Sequence, residues 1–155
     1  MREEYNMADN QQNKGGRALV DPETQASWFA RVREAHQTET TEDYVELIAD
    51  LIEVQKEARA SDLAKRLGVA HPTVTKMLSR LQDEGYIESE PYRSIFLTKK
   101  GRALAEKCKE RHEIILEFLI RLGVDPETAE FDAEGIEHHI SEQTLKIMKQ
   151  FQGAK

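Results

Sequence analysis

Apolar residues recur at three- and four-residue spacing along most of the chain and alternate only briefly, which predicts a mainly helical protein. Leu47, Ile48, Leu51 and Ile52 form a core stripe in a helix expected near residues 41–58. An earlier helix, near 22–37, carries Trp28, Phe29 and Val32 on one face; Asp21 can cap it and Pro22 suits its first position. The polar run HQTETTE between the two offers several threonine caps. Residues 1–20 lack apolar periodicity and are expected to form a disordered tail.

The middle of the chain is punctuated more sharply. Ser61 is the expected cap of a short helix burying Leu63 and Leu67, which Gly68 ends in the left-handed conformation. His71-Pro72 opens another helix, with Val74, Met77, Leu78 and Leu81 inward and Thr73, Thr75, Lys76, Ser79 and Arg80 outward. Gly85 closes it. YIESE and SIFLT read as short strands around a hairpin tip holding Pro91 and Arg93. Helix, turn, helix and hairpin in this order make a winged helix-turn-helix, a DNA-binding architecture.

Beyond it, Lys99 to Leu122 reads as one long helix with a stripe of Leu104, Ile115, Leu116, Leu119 and Ile120 that needs a partner surface, and Gly123 stops it. Asp125-Pro126 starts a further helix, and Ser141 caps a last one carrying Leu145, Ile147, Met148 and Phe151. The expected fold is mainly α with a small β-hairpin wing. Its parts are the tail (1–20), an N-terminal helix with the winged helix-turn-helix (21–98) and a helical domain (99–155).

Charge modifies this picture in one respect. The formal net charge of −7 speaks against a polyanionic partner, but residues 60–102 hold eight Lys/Arg and five Asp/Glu, a net of +3, leaving −10 on the rest. A mildly basic module sits in an acidic chain. Apolar runs fall far short of the roughly 20 residues of a membrane span, and the N-terminus lacks a signal-peptide core, so a cytoplasmic protein with no membrane partner is expected. Cys108 is the single cysteine, which rules out an intrachain disulfide and a cysteine-rich zinc cluster; it reads as a half-buried helix thiol.

The chemistry-bearing residues concentrate in DAEGIEHHIS, residues 132–141. On a helix Glu134, Glu137 and His138 fall within an arc of roughly 100°, while His139 points away from its centre. Asp43 and Glu46 have the i, i+3 spacing that puts both carboxylates on one face, and His112 stands beside Arg111 in the long helix. Alone, Asp43 and Glu46 read more readily as solvated charges and His112 as a surface or satisfied core histidine, whereas Glu134, Glu137 and His138 are the stronger cluster and divide evenly between a charged face and a cation site.

Five segments in order, TEDYVELI, GVAHPTVTKMLSRL, RSIFLTKKG, RHEIILEFL and DAEGIEHHIS, resemble the diphtheria toxin repressor family of metal-dependent transcription repressors, in particular its manganese-responsive branch. The likeness covers about residues 38–150. It implies a homodimer in which metal bridges a DNA-binding domain and a dimerisation domain, with Asp43, Glu46, His112, Glu134, Glu137 and His138 as ligands. In iron-responsive relatives a methionine stands in the place of Glu46 and a cysteine in that of Glu137. Four carboxylates and two imidazoles are a hard set suited to Mn²⁺, and six ligands are enough for two ions per subunit, although Fe²⁺, Co²⁺ and Zn²⁺ are not excluded by hardness.

On this reading the protein is a Mn²⁺-responsive transcriptional regulator, not an enzyme, that represses manganese uptake and could activate export. It binds a palindromic double-stranded operator as a homodimer. His71, Pro72, Thr73, Thr75 and Lys76 are candidates for reading bases, and Arg80, Arg93, Lys99 and Lys100 for holding phosphates. Two alternatives stand beside it. One is a winged-helix regulator sensing Fe²⁺ or a non-metal signal. The other is a metal-dependent hydrolase, disfavoured because H-E-x-x-H is absent and six ligands leave little room for catalysis.

Overall fold

The computed structural model describes residues 18–151, so the expected tail lies outside the described residues except for positions 18–20, which are exposed and precede the first helix. The order is α1 (Pro22–Gln55), α2 (Ala60–Leu67), α3 (His71–Asp83), β1 (Ile87–Glu88), β2 (Phe96–Leu97), α4 (Lys99–Arg121), α5 (Pro126–Ile136) and α6 (Glu142–Gln150).

Asp21 opens α1 as expected, its side chain accepting from Thr24 N at 3.0 Å with Pro22 in the first turn. The break expected around residues 38–41 does not occur, and the two expected helices are one helix of 34 residues. HQTETTE contains neither Gly nor Pro, and its threonines serve the helix instead of capping it. Thr38 Oγ1 donates back to Ala35 O at 3.0 Å, and Thr41 is buried. α1 ends at Lys56, whose positive φ of 66° lets its N–H cap Ile52 O.

Ser61 does not cap α2, because the helix already begins at Ala60 and Arg59 takes the cap position without a side-chain bond. Gly68 (φ 66°) ends α2, and α3 buries Val74, Met77, Leu78 and Leu81 as the pattern predicts. β1 and β2 pair antiparallel, Ile87 opposite Leu97 and Glu88 opposite Phe96, and Ala58 bridges to Ile95 beside them. Thr98 then caps α4, its hydroxyl accepting from Gly101 N at 3.1 Å.

Two apolar cores result. The larger joins Tyr44, Val45, Ile48 and Leu51 of α1 to Leu63, Val74, Leu81, Ile87, Ile95 and Leu97. The smaller joins Ile115 of α4, Ala133 of α5 and Leu145 of α6. α1 also packs along α4, so one long helix belongs to the first core while lying against the helix that organises the second. The first half of α1 projects past both: Trp28, Phe29 and Val32 are 55%, 59% and 46% exposed.

Candidate metal centre

α5 ends at Ile136, so Glu137 is its C-cap residue and His138 and His139 lie in the turn before α6. The helical arc expected to carry Glu134, Glu137 and His138 together therefore does not form. The turn sends the two histidines and Glu137 in different directions across the face of α1, and three trios of ligand-type groups result among the described residues, each with its atoms within 4.8 Å of one another; two of them contain the ligand candidates.

The first trio is His112, Glu134 and Glu137. His112 Nδ1 lies 2.7 Å from Glu137 Oε2 and 3.4 Å from Glu134 Oε2. Its other nitrogen, Nε2, faces Glu130 Oε1 at 3.1 Å. The second trio is Glu39, Asp43 and His138. His138 Nε2 lies 3.0 Å from Asp43 Oδ1, and Nδ1 lies 2.8 Å from Glu42 Oε2, which Arg111 also holds. Each histidine thus directs one nitrogen at a trio and gives the other to an outlying carboxylate, the arrangement that fixes ring orientation in metal-ligating histidines.

Glu46 lies in the same cleft, of about 540 Å³, together with Glu39, Asp43, His112, Glu134 and His138, but joins neither trio among the described residues. Burial, and then the charges of Glu137 and Glu134, push its carboxyl up to about 7. The carboxyl of Glu137, 1% exposed, is likewise raised by burial, against the pull of His112. For His138, burial opposes protonation, but the hydrogen bonds to Asp43 and Glu42 outweigh it and hold the imidazole at about 10.

Two buried polar atoms break the otherwise paired arrangement, Arg111 Nε and Glu137 Oε1. Glu137 Oε1 is buried without a hydrogen-bond partner; His138 Nε2 is 3.4 Å away but has Asp43 closer. A buried carboxylate oxygen left unpaired costs on the order of 1–3 kcal/mol, and more when charged. An oxygen-rich donor set with an orphaned carboxylate oxygen, crowded with like charge, fits a divalent cation.

Of the six ligand candidates, five enter the trios and Glu46 stands beside them. Glu39 and the supporting Glu42, Arg111 and Glu130 do not figure among the sequence candidates. A signal for Glu39 does exist, since His36, Glu39, Asp43 and Glu46 follow each other at three- and four-residue spacing, but it emerges only if the helix is continuous. Cys108 is fully buried rather than half-buried, with its thiol pushed up to about 12 chiefly by burial.

The nucleic-acid candidates occupy a separate face. His71, Pro72, Thr73, Thr75, Lys76 and Arg80 are all exposed on α3, Arg93 is exposed in the hairpin turn, and Lys99 and Lys100 are exposed in the first turn of α4. A groove of about 720 Å³ between α3 and the hairpin is lined by His71, Thr75, Ser79 and Arg93. Some of these side chains have intramolecular partners: Arg80 pairs with Glu84 at 2.8 Å, Arg93 with Glu90 at 2.8 Å, and Lys100 donates to Glu84 O at 2.7 Å while lying over the Tyr86 ring.

Residues 36–95 match the family model described as iron dependent repressor, N-terminal DNA binding domain, and residues 98–154 match its metal binding and dimerisation domain. The chain is 53% identical over 140 residues to "Transcriptional regulator MntR" of Escherichia coli O157:H7, covering 88% of this chain and 90% of that protein. Among solved structures it is similar to the manganese regulator SloR (TM-score 0.62, 28% identity, 71% of this chain and 52% of that one). It is also similar to a manganese-dependent transcriptional repressor in complex with manganese (TM-score 0.64, 26% identity, 70% and 50%). The chain thus spans about half the length of those solved chains. Among the described residues, no helix is long and apolar enough to cross a membrane.

Proposed function

The chain belongs to the iron-dependent, or diphtheria toxin, repressor family of metal-responsive DNA-binding transcriptional regulators, and from that premise we propose that it responds to Mn²⁺. In this reading it acts in the cytoplasm as a homodimer on a two-fold symmetric operator, repressing manganese uptake, and is not an enzyme. Residues 21–98 serve DNA binding and residues 99–155 serve metal binding and dimerisation.

The observation that carries the proposal is the sulfur-free donor set around the unpaired, buried Glu137 Oε1. Asp43, Glu46, His112, Glu134, Glu137 and His138, joined by Glu39, would hold up to two ions per subunit. Oxygen and imidazole ligands suit Mn²⁺, and the sole cysteine is buried away as a thiol. Bound Mn²⁺ supplies the positive charge that lets these carboxylates stay ionised side by side.

The protein's own residues set the consequence. Without a cation, Glu46, Glu134 and Glu137 push against each other across the seam between α1 and α4–α5. Arg111 steadies Glu42, Glu42 steadies His138, and Glu130 steadies His112, so the imidazoles are aimed in advance. Because Tyr44, Val45, Ile48 and Leu51 root α1 in the core that also seats α3, drawing Asp43 and Glu46 toward His112 and Glu137 fixes the recognition helix relative to the second core. Couplings of this kind are on the order of 1–3 kcal/mol. On α3, Lys76 suits a guanine edge and Pro72, Thr73 and Thr75 suit thymine methyls, with His71 beside them.

The test is operator affinity, on DNA selected by the Mn²⁺-loaded protein, with Mn²⁺ and with chelator. Affinity rises at least tenfold with Mn²⁺ in the wild type, and His112→Ala and Glu137→Ala lose that rise. Equal affinity in both conditions sinks the proposal. Parallel titrations with Fe²⁺ and Zn²⁺ decide which ion is sensed.

A further inference from the structure

His36, Glu39 and His139 form a third group of ligand-type side chains, which includes none of the six ligand candidates and shares only Glu39 with the trio of Asp43 and His138. His36 Nδ1 lies 3.0 Å and His139 Nε2 3.4 Å from the same oxygen, Glu39 Oε2, and all three donor atoms fall within 4.8 Å. Ligands of a tetrahedral ion bound at ordinary zinc–nitrogen distance are separated by about 3.3 Å, so the group is close to a binding arrangement already. The two imidazoles meet edge to face, centroids 4.7 Å apart, although they come from different elements, α1 and the α5–α6 turn. His36 and Glu39 chelate at i, i+3 on one helix face, and the His36 side chain, 61% exposed, leaves an entry path and room for water ligands.

We propose that His36, Glu39 and His139 form a further cation site, taking a divalent ion from the cobalt-to-zinc end of the first transition row. Two nitrogens and one oxygen are a softer set than the carboxylate-rich cleft beside it, and affinity for such a set rises from Mn²⁺ towards Cu²⁺ and Zn²⁺. An ion there ties the projecting half of α1 to the α5–α6 turn. Glu39 belongs also to the trio with Asp43 and His138, so this residue connects the site to the interdomain cleft.

The experiment loads the full-length protein with excess Co²⁺, removes free metal and counts cobalt per chain in the wild type, His36→Ala, His139→Ala and the double variant. Each single variant holds one cobalt fewer per chain than the wild type, and the double variant also loses only one. The exposed His36 carries no core packing, so its removal tests the site without threatening the fold. Equal cobalt content in wild type and His36→Ala overturns the inference, as does loss of two or more ions in the double variant, which would make these histidines supports of the interdomain cleft. A wild type holding one cobalt and a His36→Ala variant holding none would support this site while refuting the interdomain one.

Discussion

Glu46 is held far from its ordinary ionisation by burial and neighbouring carboxylates. Burial first, then Glu137 and Glu134, raise its carboxyl from 4.5 to about 7 in the fold. A carboxyl raised in the folded state favours folding while protonated. Its contribution is complete below pH 4.5 and is lost as pH rises through about 7. His138, raised from 6.5 to about 10 against the effect of burial by Asp43 and Glu42, acts in the same sense at higher pH: its stabilisation is complete below 6.5 and is lost through about 10. The chelated protein is therefore expected to melt at steadily lower temperature as pH rises, with Glu46 as the chief source between about pH 5 and about pH 7 and His138 above that. Glu46→Gln keeps the size and removes the charge, so it should raise the apo melting temperature at the alkaline end and flatten the slope. Calorimetry of the two proteins across that range decides, and parallel slopes would remove Glu46 from the account.

The start of α4 is fitted closely against the chain that leads into the hairpin. A Cβ added at Gly101 would sit 2.1 Å from Tyr86 O, a backbone atom of the hairpin's first arm that accepts from Thr98 N at 3.0 Å. Helix and wing must separate to admit even a methyl group. Gly101→Ala should cost roughly 1–3 kcal/mol, read as a lower chemical-denaturation midpoint, and should weaken operator binding with metal uptake preserved. An unchanged midpoint would mean that the hairpin yields freely. The elements from Gly68 to Gly123 were readable because Gly and Pro mark their ends and the apolar spacing within each is regular. α1 was less so: threonine can cap a helix or bond back within one, and only tertiary packing around buried Thr41 decides between them. That one misplaced break hid Glu39, because Glu39 shares a face with Asp43 and Glu46 only on an unbroken helix. The end of α5 was hidden for a similar reason. No Gly or Pro stands between Ile136 and the start of α6, so the sequence there reads as a continuing helix, whereas the chain turns away.

Over the whole molecule, acidic and basic parts are segregated so that an acidic protein can bind an acidic polymer. The cleft that gathers the ligand candidates is lined by carboxylates of α1, α4 and α5, whereas residues 60–102 carry a net +3. Net charge therefore predicts solubility, and the local charge of α3, the wing and the start of α4 predicts DNA binding. Among the basic candidates, Arg80, Arg93 and Lys100 are engaged with Glu84, Glu90 and the Glu84 carbonyl, and each would have to exchange that partner to contact a phosphate. Lys99 stands exposed at the first position of α4 and needs no such exchange. It is the residue whose phosphate contact should register most plainly. Neutralising one phosphate per subunit, or two per dimer, contributes about 2 to the slope of log affinity against log salt. Lys99→Ala should thus weaken Mn²⁺-dependent operator binding, flatten the salt dependence by about that amount and leave discrimination between operator and mutated operator intact. A variant that keeps the wild-type slope would show that the helix start lies away from the DNA backbone, and would confine the contact surface to α3 and the hairpin.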